Sequence, residues 1–327
     1  MKVAFFSSRD FELPVLEKEN KGKHELTFIK ERLSISTVNM ALGCKVVVVF
    51  SNDDVGEEVL LKLKDLGVVL ICFRAAGYNT LNEEKAKQLG IRVARVPAYS
   101  PYAIAEHAVA LMMALNRKLI QANNRVHRDD FSLDGLTGFD VHDKVVGVVG
   151  TGKIGEKFCN IINGFGATIL AHDILENESL KNKVEYVSMN TLLKNADIIS
   201  LHVPLNSETK YLIDEKEVNQ MKDGVMLINT SRGGLINTEA VLRGLNQGKI
   251  GYLGLDVYEY ETGVFFKKHP SNTLNDQLLT KLMLNENILL TGHQAFLTET
   301  ALQNIAATTF ENIDWFTKGD FNENFVV

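Results

Sequence analysis

The sequence feature that most restricts the fold is a glycine-rich hexamer at the end of an apolar run. Residues 145–155 read Val-Val-Gly-Val-Val-Gly-Thr-Gly-Lys-Ile-Gly, which gives the G-x-G-x-x-G spacing at Gly150, Gly152 and Gly155. A helical pattern follows directly. At such a junction the first glycine permits a tight turn, the second lets the backbone approach a pyrophosphate, and the third lets the helix pack on the strand. The hexamer therefore predicts the start of a dinucleotide-binding domain.

An acidic residue after the next predicted strand supports this interpretation. The strand at 168–171 leads to Asp173, near the offset of about 20 residues at which an acid binds ribose hydroxyls. A carboxylate there would repel a 2′-phosphate, and no Arg or Lys occurs in the Ile-Leu-Glu-Asn that follows. The sequence thus predicts NAD rather than NADP. The alternative is a structural glycine turn followed by a surface aspartate.

Short runs rich in Val and Ile recur on both sides of the hexamer. Strands are predicted at 3–6, 45–50, 68–73 and 91–96, and again at 145–149, 168–171, 197–201, 225–229, 252–257 and 288–291. Helical patterns lie between some of them, at 57–64 and 82–88. This alternation is typical of parallel sheets. The chain is therefore predicted to be α/β, with doubly wound parallel sheets.

The length of 327 residues favours two domains, each with its own apolar core. Between the two series of strands, a long Ala- and Met-rich helix is predicted at 101–118, with Ser100 and Pro101 as its cap and first turn. Its small-residue face suggests close helix packing and is compatible with a subunit interface. A last helix is predicted at 298–317.

Charge and composition exclude several classes of protein. The formal net charge of −6 gives no basis for holding a phosphate backbone, so nucleic acid is not expected as a partner. No run approaches the roughly 20 apolar residues of a membrane span, so no membrane association is expected. Cys44, Cys72 and Cys159 lie in apolar runs without metal-ligand spacing, which predicts reduced thiols, no metal site and a cytoplasmic protein.

Three polar residues follow predicted strands of the second series, where doubly wound sheets present ligand-binding groups. They are Arg232, Glu261 and His293. Taken singly, each residue also has a purely structural explanation. Arg232 fits a surface turn, Glu261 a solvated loop acid and His293 a hydrogen-bonded core histidine. Their shared placement at strand ends favours a joint catalytic role.

The three side-chain types suit the reduction of a 2-keto acid. Arg232 can hold a planar carboxylate through two parallel hydrogen bonds and polarise the adjacent carbonyl. Delivery of a hydride to C2 creates an alkoxide that needs a proton, and an imidazolium such as that of His293 can donate one near neutral pH. A carboxylate beside the imidazole, from Glu261, would stabilise its charged form.

These motifs together resemble the D-isomer-specific 2-hydroxyacid dehydrogenase family, and more narrowly its fermentative lactate-forming branch. The similarity runs through nearly the whole chain. It includes Arg74-Ala-Ala-Gly77, Val96-Pro-Ala-Tyr99-Ser-Pro101, Ala105-Glu-His107-Ala, the glycine hexamer, His202-Val-Pro204, Asn229-Thr-Ser-Arg232-Gly, Asp256-Val-Tyr-Glu and Gly292-His-Gln-Ala-Phe296. The run from Glu261 to Pro270 also resembles the lactate branch.

The resemblance implies a Rossmann-like cofactor domain, 101–297, inserted into a flavodoxin-like substrate domain made of 1–100 and 298–327, with the active site in the cleft. It implies that Arg232, Glu261 and His293 are catalytic and that pyruvate is reduced reversibly to D-lactate with NADH. It also implies a cytoplasmic homodimer or homotetramer.

The resemblance assigns further residues to binding. Substrate contacts are implied for Ala76, Gly77, Tyr99, Arg232 and Phe296. Cofactor contacts are implied for Lys153 and Ile154 at the pyrophosphate, Asp173 at the ribose, Val203 and Pro204 at the adenosine, Thr230, Ser231 and Asp256 toward the nicotinamide, and Thr209. Tyr99 and Phe296 would close an apolar pocket around a methyl group.

Some alternatives stay open on sequence alone. The chain departs from the pattern of many relatives with Gly292 where they have proline, and with Glu156 after the hexamer. A broader preference for longer 2-keto acids is the second enzyme hypothesis. A non-catalytic NAD-sensing relative is the hypothesis from another class, and the intact Arg232, Glu261 and His293 argue against it. His107 is interpreted as a helix-packing residue rather than a catalyst.

Overall fold

The computed structural model describes residues 1–270 and 273–327. The chain divides into two compact units. The first consists of Met1–Ser100 and Leu297–Val327, and the second of Pro101–Phe296. Within the described residues, no helix is both long enough and apolar enough to cross a membrane.

The first unit contains a five-stranded parallel sheet. Its strands are β1 (Lys2–Phe5), β2 (Glu25–Phe28), β3 (Val46–Val49), β4 (Leu70–Phe73) and β5 (Arg92–Arg95), and its early helices are α1 (Leu13–Asn20), α2 (Glu57–Asp65) and α3 (Glu83–Leu89). The strand order is β2-β1-β3-β4-β5. This is the flavodoxin-like order, so the predicted topology of this unit is confirmed.

The second unit contains a seven-stranded parallel sheet. Its strands are β6 (Val145–Val149), β7 (Thr168–His172), β8 (Glu185–Tyr186), β9 (Ile198–Leu201), β10 (Val225–Asn229), β11 (Ile250–Leu255) and β12 (Ile288–Leu290). Its helices are α4 (Pro101–Asn116), α5 (Leu119–Val126), α6 (Lys153–Asn163), α7 (Met189–Asn195), α8 (Glu215–Gln220), α9 (Thr238–Asn246) and α10 (Gln277–Leu284). The order β12-β11-β10-β9-β6-β7-β8 is the Rossmann order with a seventh strand at one edge.

The chain returns to the first unit with α11 (Glu299–Lys318). The Thr298 side chain caps this helix by accepting a hydrogen bond from the Ala301 amide, and Gly319 ends it in the left-handed conformation. On the sheet side, Phe310 and Ile313 pack into a core cluster with residues of the central strands. All four residues of β3 and of β4 are buried, as expected for strands covered on both faces.

The sequence prediction missed two strands. β2 alternates exposed and half-buried residues at the sheet edge, and β8 has two residues, so neither produces an apolar run. The Ala- and Met-rich face of α4 is buried inside the second unit, with Ala105, Ala108 and Met112 in its core. This is the close helix packing that the small-residue face predicts, and the use of the same helix in a subunit interface stays a prediction.

Candidate active site

The glycine loop between β6 and α6 has the geometry of a phosphate-binding turn. Gly150 has a φ of +95°, and a Cβ there would lie 2.5 Å from the carbonyl oxygen of His202. A Cβ on Gly155 would lie 1.9 Å from the carbonyl oxygen of Gly150, so the helix packs directly on the turn. A Cβ on Gly152 would meet no atom of the described residues within 4 Å. The loop is thus closed on two sides and open at Gly152, where the amino end of α6 favours an anion.

Asp173 is tied to this loop. Its Oδ2 accepts hydrogen bonds from the backbone amide of Thr151 at 2.5 Å and from the Thr151 hydroxyl at 3.0 Å. Partial burial raises the pKa of Asp173, but the hydrogen bonds from Thr151 and from the following backbone amides outweigh it and hold the pKa below its ordinary value. The carboxylate therefore stays ionised beside the glycine turn.

Two side chains that the sequence did not point to complete this edge. The Tyr186 hydroxyl donates to the Thr151 hydroxyl at 3.1 Å, and the Asn177 side chain donates to the Thr151 carbonyl at 2.9 Å. Tyr186 belongs to the two-residue strand β8, so no periodicity marks it. These contacts fix the loop between Gly150 and Gly152.

The other predicted cofactor residues lie at the carboxyl ends of the neighbouring strands. The Ser231 hydroxyl donates to the carbonyl of Leu201, which joins the ends of β10 and β9. Thr209 closes a turn by donating to the carbonyl of Pro204 at 2.6 Å. Val203 is partly buried against the core of this unit. Thr230 carries a buried hydroxyl with no partner among the described residues, a polar atom that a bound ligand would satisfy.

These features fit a dinucleotide such as NAD. The open Gly152 turn suits a pyrophosphate, and the ionised Asp173 suits ribose hydroxyls. The Thr230 hydroxyl, just after β10, can form a hydrogen bond with another polar group of the same ligand. Lys153 is exposed at the first turn of α6, and Ile154 is half-buried behind it.

Arg232, Glu261 and His293 follow β10, β11 and β12, which are adjacent in the sheet. Nδ1 of His293 lies 2.9 Å from Oε1 of Glu261. The side chains of both are mostly buried, 17% and 14% exposed. The second oxygen of Glu261 accepts a hydrogen bond from the Tyr258 amide at 3.3 Å, which anchors the carboxylate. The structure therefore brings together the predicted imidazole and carboxylate.

Arg232 is positioned by the end of β10. The buried Asn229 side chain accepts from the Ser231 amide at 3.0 Å and donates to the Arg232 carbonyl at 2.8 Å, which closes the turn. A Cβ on Gly233 would lie 2.1 Å from the carbonyl carbon of Tyr258, so this turn packs on the segment leading to Glu261. The guanidinium donates to the Ser231 carbonyl at 2.7 Å and is partly exposed.

The backbone of the His293 loop is held by Asp256, the residue after β11. The His293 amide donates to the Asp256 carbonyl at 2.7 Å, and the next two amides donate to the Asp256 carboxylate at 2.9 and 2.8 Å. His293 itself has a φ of +56°, a left-handed conformation that is strained for a residue with a side chain. The loop thus keeps its strained residue because Asp256 fixes the backbone on both sides.

Asp256 is completely buried. Burial raises the pKa of this carboxyl, but hydrogen bonding with His107 and Thr291 and with the backbone amides outweighs that cost and holds the pKa below its ordinary value. His107 contributes from α4, with Nε2 at 3.1 Å from the Thr291 hydroxyl and 3.4 Å from Oδ1 of Asp256. Sequence reasoning did not connect His107 with this loop, since the two are 184 positions apart.

Ala76, Gly77 and Tyr99 belong to the first unit and are half-buried. The loop after β4 that carries Ala76 and Gly77 is fixed by two arginines. Arg74 is buried and forms a two-pronged ion pair with Glu12, with bonds of 3.0 and 2.9 Å. Arg95 donates to the Ala76 carbonyl at 3.0 Å.

Comparison with known proteins gives a consistent family. The family model described as D-isomer specific 2-hydroxyacid dehydrogenase, NAD binding domain, matches residues 109–295. The curated D-lactate dehydrogenase of Escherichia coli strain K12 is 44% identical, with 100% of both chains covered.

Solved structures agree with this. The pyruvate reductase of Chlamydomonas reinhardtii has a TM-score of 0.93 at 40% identity, with 99% of this chain and 98% of that chain covered. A D-lactate dehydrogenase from Lactobacillus jensenii solved with NAD+ has a TM-score of 0.84 at 34% identity, with 100% of both chains covered.

Proposed function

The chain belongs to the D-isomer specific 2-hydroxyacid dehydrogenase family, and from this premise we propose that it reduces pyruvate reversibly to D-lactate with NADH. It is an NAD-dependent oxidoreductase that acts on small 2-keto and 2-hydroxy acids. The observation that carries the proposal is the His293–Glu261 contact of 2.9 Å beside the cofactor-binding edge of the sheet.

His293 serves as the proton donor. A nicotinamide cofactor held by the Gly152 turn and by Asp173 would supply the hydride for C2 of the keto acid and be oxidised from NADH to NAD+. Nε2 of His293 donates a proton to the carbonyl oxygen, which becomes the hydroxyl of the product. The Glu261 carboxylate contacts the other ring nitrogen, Nδ1, which orients the ring so that Nε2 faces the substrate. In the oxidation of the hydroxy acid, His293 takes the same proton back.

Arg232 holds the substrate. Its partly exposed guanidinium can form two parallel hydrogen bonds with a carboxylate, a geometry that an ammonium lacks. The substrate contacts of Ala76, Gly77 and Tyr99 stay predictions of the family resemblance, as do the cofactor contacts of Lys153, Ile154, Val203, Pro204, Thr209, Ser231 and Asp256.

A small apolar group at C3 of the substrate is favoured by aromatic residues near His293. The Phe266 ring lies 5.5 Å from the His293 ring, and Phe296, three positions after His293, is 8% exposed. Such surroundings accept a methyl group more readily than a charged one. The names of the relatives point to the same substrate, since they are a D-lactate dehydrogenase and a pyruvate reductase.

We propose that the chain forms a homodimer or homotetramer and that exposed apolar residues of α5 and of the segment after it lie in a subunit interface. α5 has no buried residue, and its Leu119, Ile120 and Val126 are 47 to 55% exposed. Phe131 and Leu133, just beyond it, are 72% and 80% exposed. A concentration of exposed apolar side chains in one segment is typical of a subunit interface. A cytoplasmic location is proposed from the three free, buried thiols.

The test is an assay of NADH oxidation with pyruvate and with 2-keto acids of longer chain, followed by chiral analysis of the product. Efficient turnover of pyruvate to the D-isomer is expected. Higher kcat/KM with longer keto acids would replace pyruvate by the broader specificity, and no turnover with any 2-keto acid would refute the enzyme. Sedimentation of the wild type and of Leu133→Asp tests the oligomer, because the variant should dissociate.

A further inference from the structure

His107 is the histidine that the proposed mechanism leaves unused. It lies on α4, which packs against α6 and the strands β10 and β11, and its side chain is 18% exposed. Its Nε2 faces two oxygens, the Thr291 hydroxyl at 3.1 Å and Oδ1 of Asp256 at 3.4 Å. A histidine used only for packing would not direct a ring nitrogen at a buried carboxylate and its hydroxyl partner.

The hydrogen bonds have one consistent direction. Thr291 is 2.5 Å from Oδ1 of Asp256, and because this carboxylate is ionised the hydroxyl hydrogen points to it. The hydroxyl oxygen is then left to accept, so Nε2 of His107 carries a hydrogen and donates. The chain of bonds runs from His107 through Thr291 to Asp256 and fixes the tautomer of His107.

This chain of hydrogen bonds ends on the loop that carries His293. The Asp256 carboxylate accepts the amides of Gln294 and Ala295, and its backbone carbonyl accepts the amide of His293. His293 is in the strained left-handed region and follows Gly292, whose Cβ position is open. A glycine neighbour adds backbone freedom, so the loop depends on its contacts with Asp256 for its conformation.

We propose that His107 is a positioning residue for the reaction: through Thr291 and Asp256 it holds the His293 loop in the conformation that places the imidazole against Glu261. The inference rests on the proposed role of His293 as proton donor. It assigns His107 no contact with substrate or cofactor. Loss of the Nε2 donor leaves the fold in place and lets the loop relax from its strained conformation.

Kinetics of three variants test this. His107→Leu removes the donor, His107→Gln keeps an N–H near the position of Nε2, and His142→Leu is a matched control at an exposed histidine of the same unit. We expect kcat to fall about tenfold to a hundredfold in His107→Leu with little change in the Kd of NADH. His107→Gln should recover most of this loss, and the control should match the wild type. Unchanged kcat in a folded His107→Leu protein would overturn the proposal.

Thr291→Val supplies a second, independent break in the same chain of bonds. Both substitutions release the same loop. The fold decrease of kcat in the double variant His107→Leu/Thr291→Val should therefore be smaller than the product of the fold decreases in the two single variants. A decrease of kcat equal to that product would mean that His107 and Thr291 act independently, which contradicts the proposed chain of hydrogen bonds.

A readout that does not need activity separates this inference from the proposed function. Imidazole 1H–15N correlation spectra of the full chain resolve the ring nitrogens of its 8 histidines, and the His293→Gln spectrum identifies those of His293. In the wild type and in His107→Gln, the chemical shift of the Nδ1–H group of His293 should be that of a hydrogen-bonded donor. In His107→Leu, this chemical shift should move to that of a donor without a hydrogen-bond partner. An unchanged signal in His107→Leu refutes the positioning role, whereas a wild type without turnover refutes only the proposed function.

Discussion

Each unit of the molecule contains an aspartate with no exposed surface, Asp53 in the first and Asp256 in the second, and their pKa values are shifted in opposite directions. Asp53 accepts from the Ser7 hydroxyl and from two backbone amides, at 2.6 to 2.8 Å. Burial nonetheless dominates and raises the pKa of Asp53. Asp256 is equally buried, yet its pKa is lowered because the hydrogen bonds, led by that with His107, outweigh burial.

The difference shows that burial alone does not decide the direction in which the pKa of a carboxyl group shifts. Both groups have several donors, but Asp256 also faces an imidazole donor and anchors a strained loop. Asp53 closes turns after β1 and β3 with an environment that tolerates its neutral form. We therefore expect the charge of Asp256 to matter for catalysis and that of Asp53 to matter for stability only.

The hydrogen bonds of Asp256 are proposed to act on catalysis through His293. Removal of the His293 side chain therefore sets the upper limit of their effect on kcat. His293→Ala should lower kcat for keto-acid reduction about 10²- to 10⁴-fold, the range of a lost general acid. The Kd of NADH, measured by fluorescence titration, should stay near that of the wild type. Lost NADH binding would show that the histidine has a structural role instead.

Matched substitutions at the two aspartates test the comparison directly. Asp256→Asn removes the charge and misplaces an amide donor, so kcat should fall about tenfold to a hundredfold. Asp53→Asn makes the same change in the other unit and should leave kcat unaltered. Each should cost about 1–3 kcal/mol in the free energy of unfolding, since a buried hydrogen bond is lost in both. A comparable fall of kcat in both variants would remove the distinction between the two sites.

The carboxylate next to His293 should have a smaller effect on kcat. Glu261→Gln keeps a side-chain oxygen that can accept from Nδ1 of His293 and removes only the negative charge, so kcat for reduction should fall about threefold to tenfold. Steady-state rates with saturating NADH check this. A fall as large as that in His293→Ala would show that the ring cannot act without the charge of Glu261.

The smallest effect is in the pH dependence of stability, where the two aspartates should differ in sign. The raised pKa of Asp53 means that its contribution is present below the unfolded pKa of about 3.9 and is lost as pH rises through the folded pKa. The lowered pKa of Asp256 means that its contribution is complete above about 3.9 and is lost only as pH falls through the folded pKa.

Urea unfolding between about pH 4 and pH 8 measures both. The difference in stability between the wild type and Asp53→Asn should decline with rising pH, by at most about 1.4 kcal/mol per pH unit. The difference for Asp256→Asn should stay flat over this range. A decline in the Asp256→Asn difference would show that Asp256 is protonated in the folded chain.

Much of the candidate site could be predicted from local patterns. Asp173 and the glycine loop lie on consecutive elements, and the order of strand, turn and helix fixes their spacing. Arg232, Glu261 and His293 were predicted to act together from their common placement after strands. Tyr186 could not be found, because a two-residue strand leaves no periodicity, and the burial of the α4 face could not be separated from an interface, because both use small apolar residues.

The fold class, the cofactor-binding edge and the types of group available for chemistry can be predicted from the amino-acid sequence, because they depend on residue identity and short spacings. Which of these groups meet depends on the tertiary structure. The distance of 2.9 Å between His293 and Glu261, the strained φ of His293, and the ionised state of Asp256 depend on elements far apart in the chain. Hydrogen bonds and charges act over a few ångströms, so their effects exist only after folding has brought α4, β11 and β12 together.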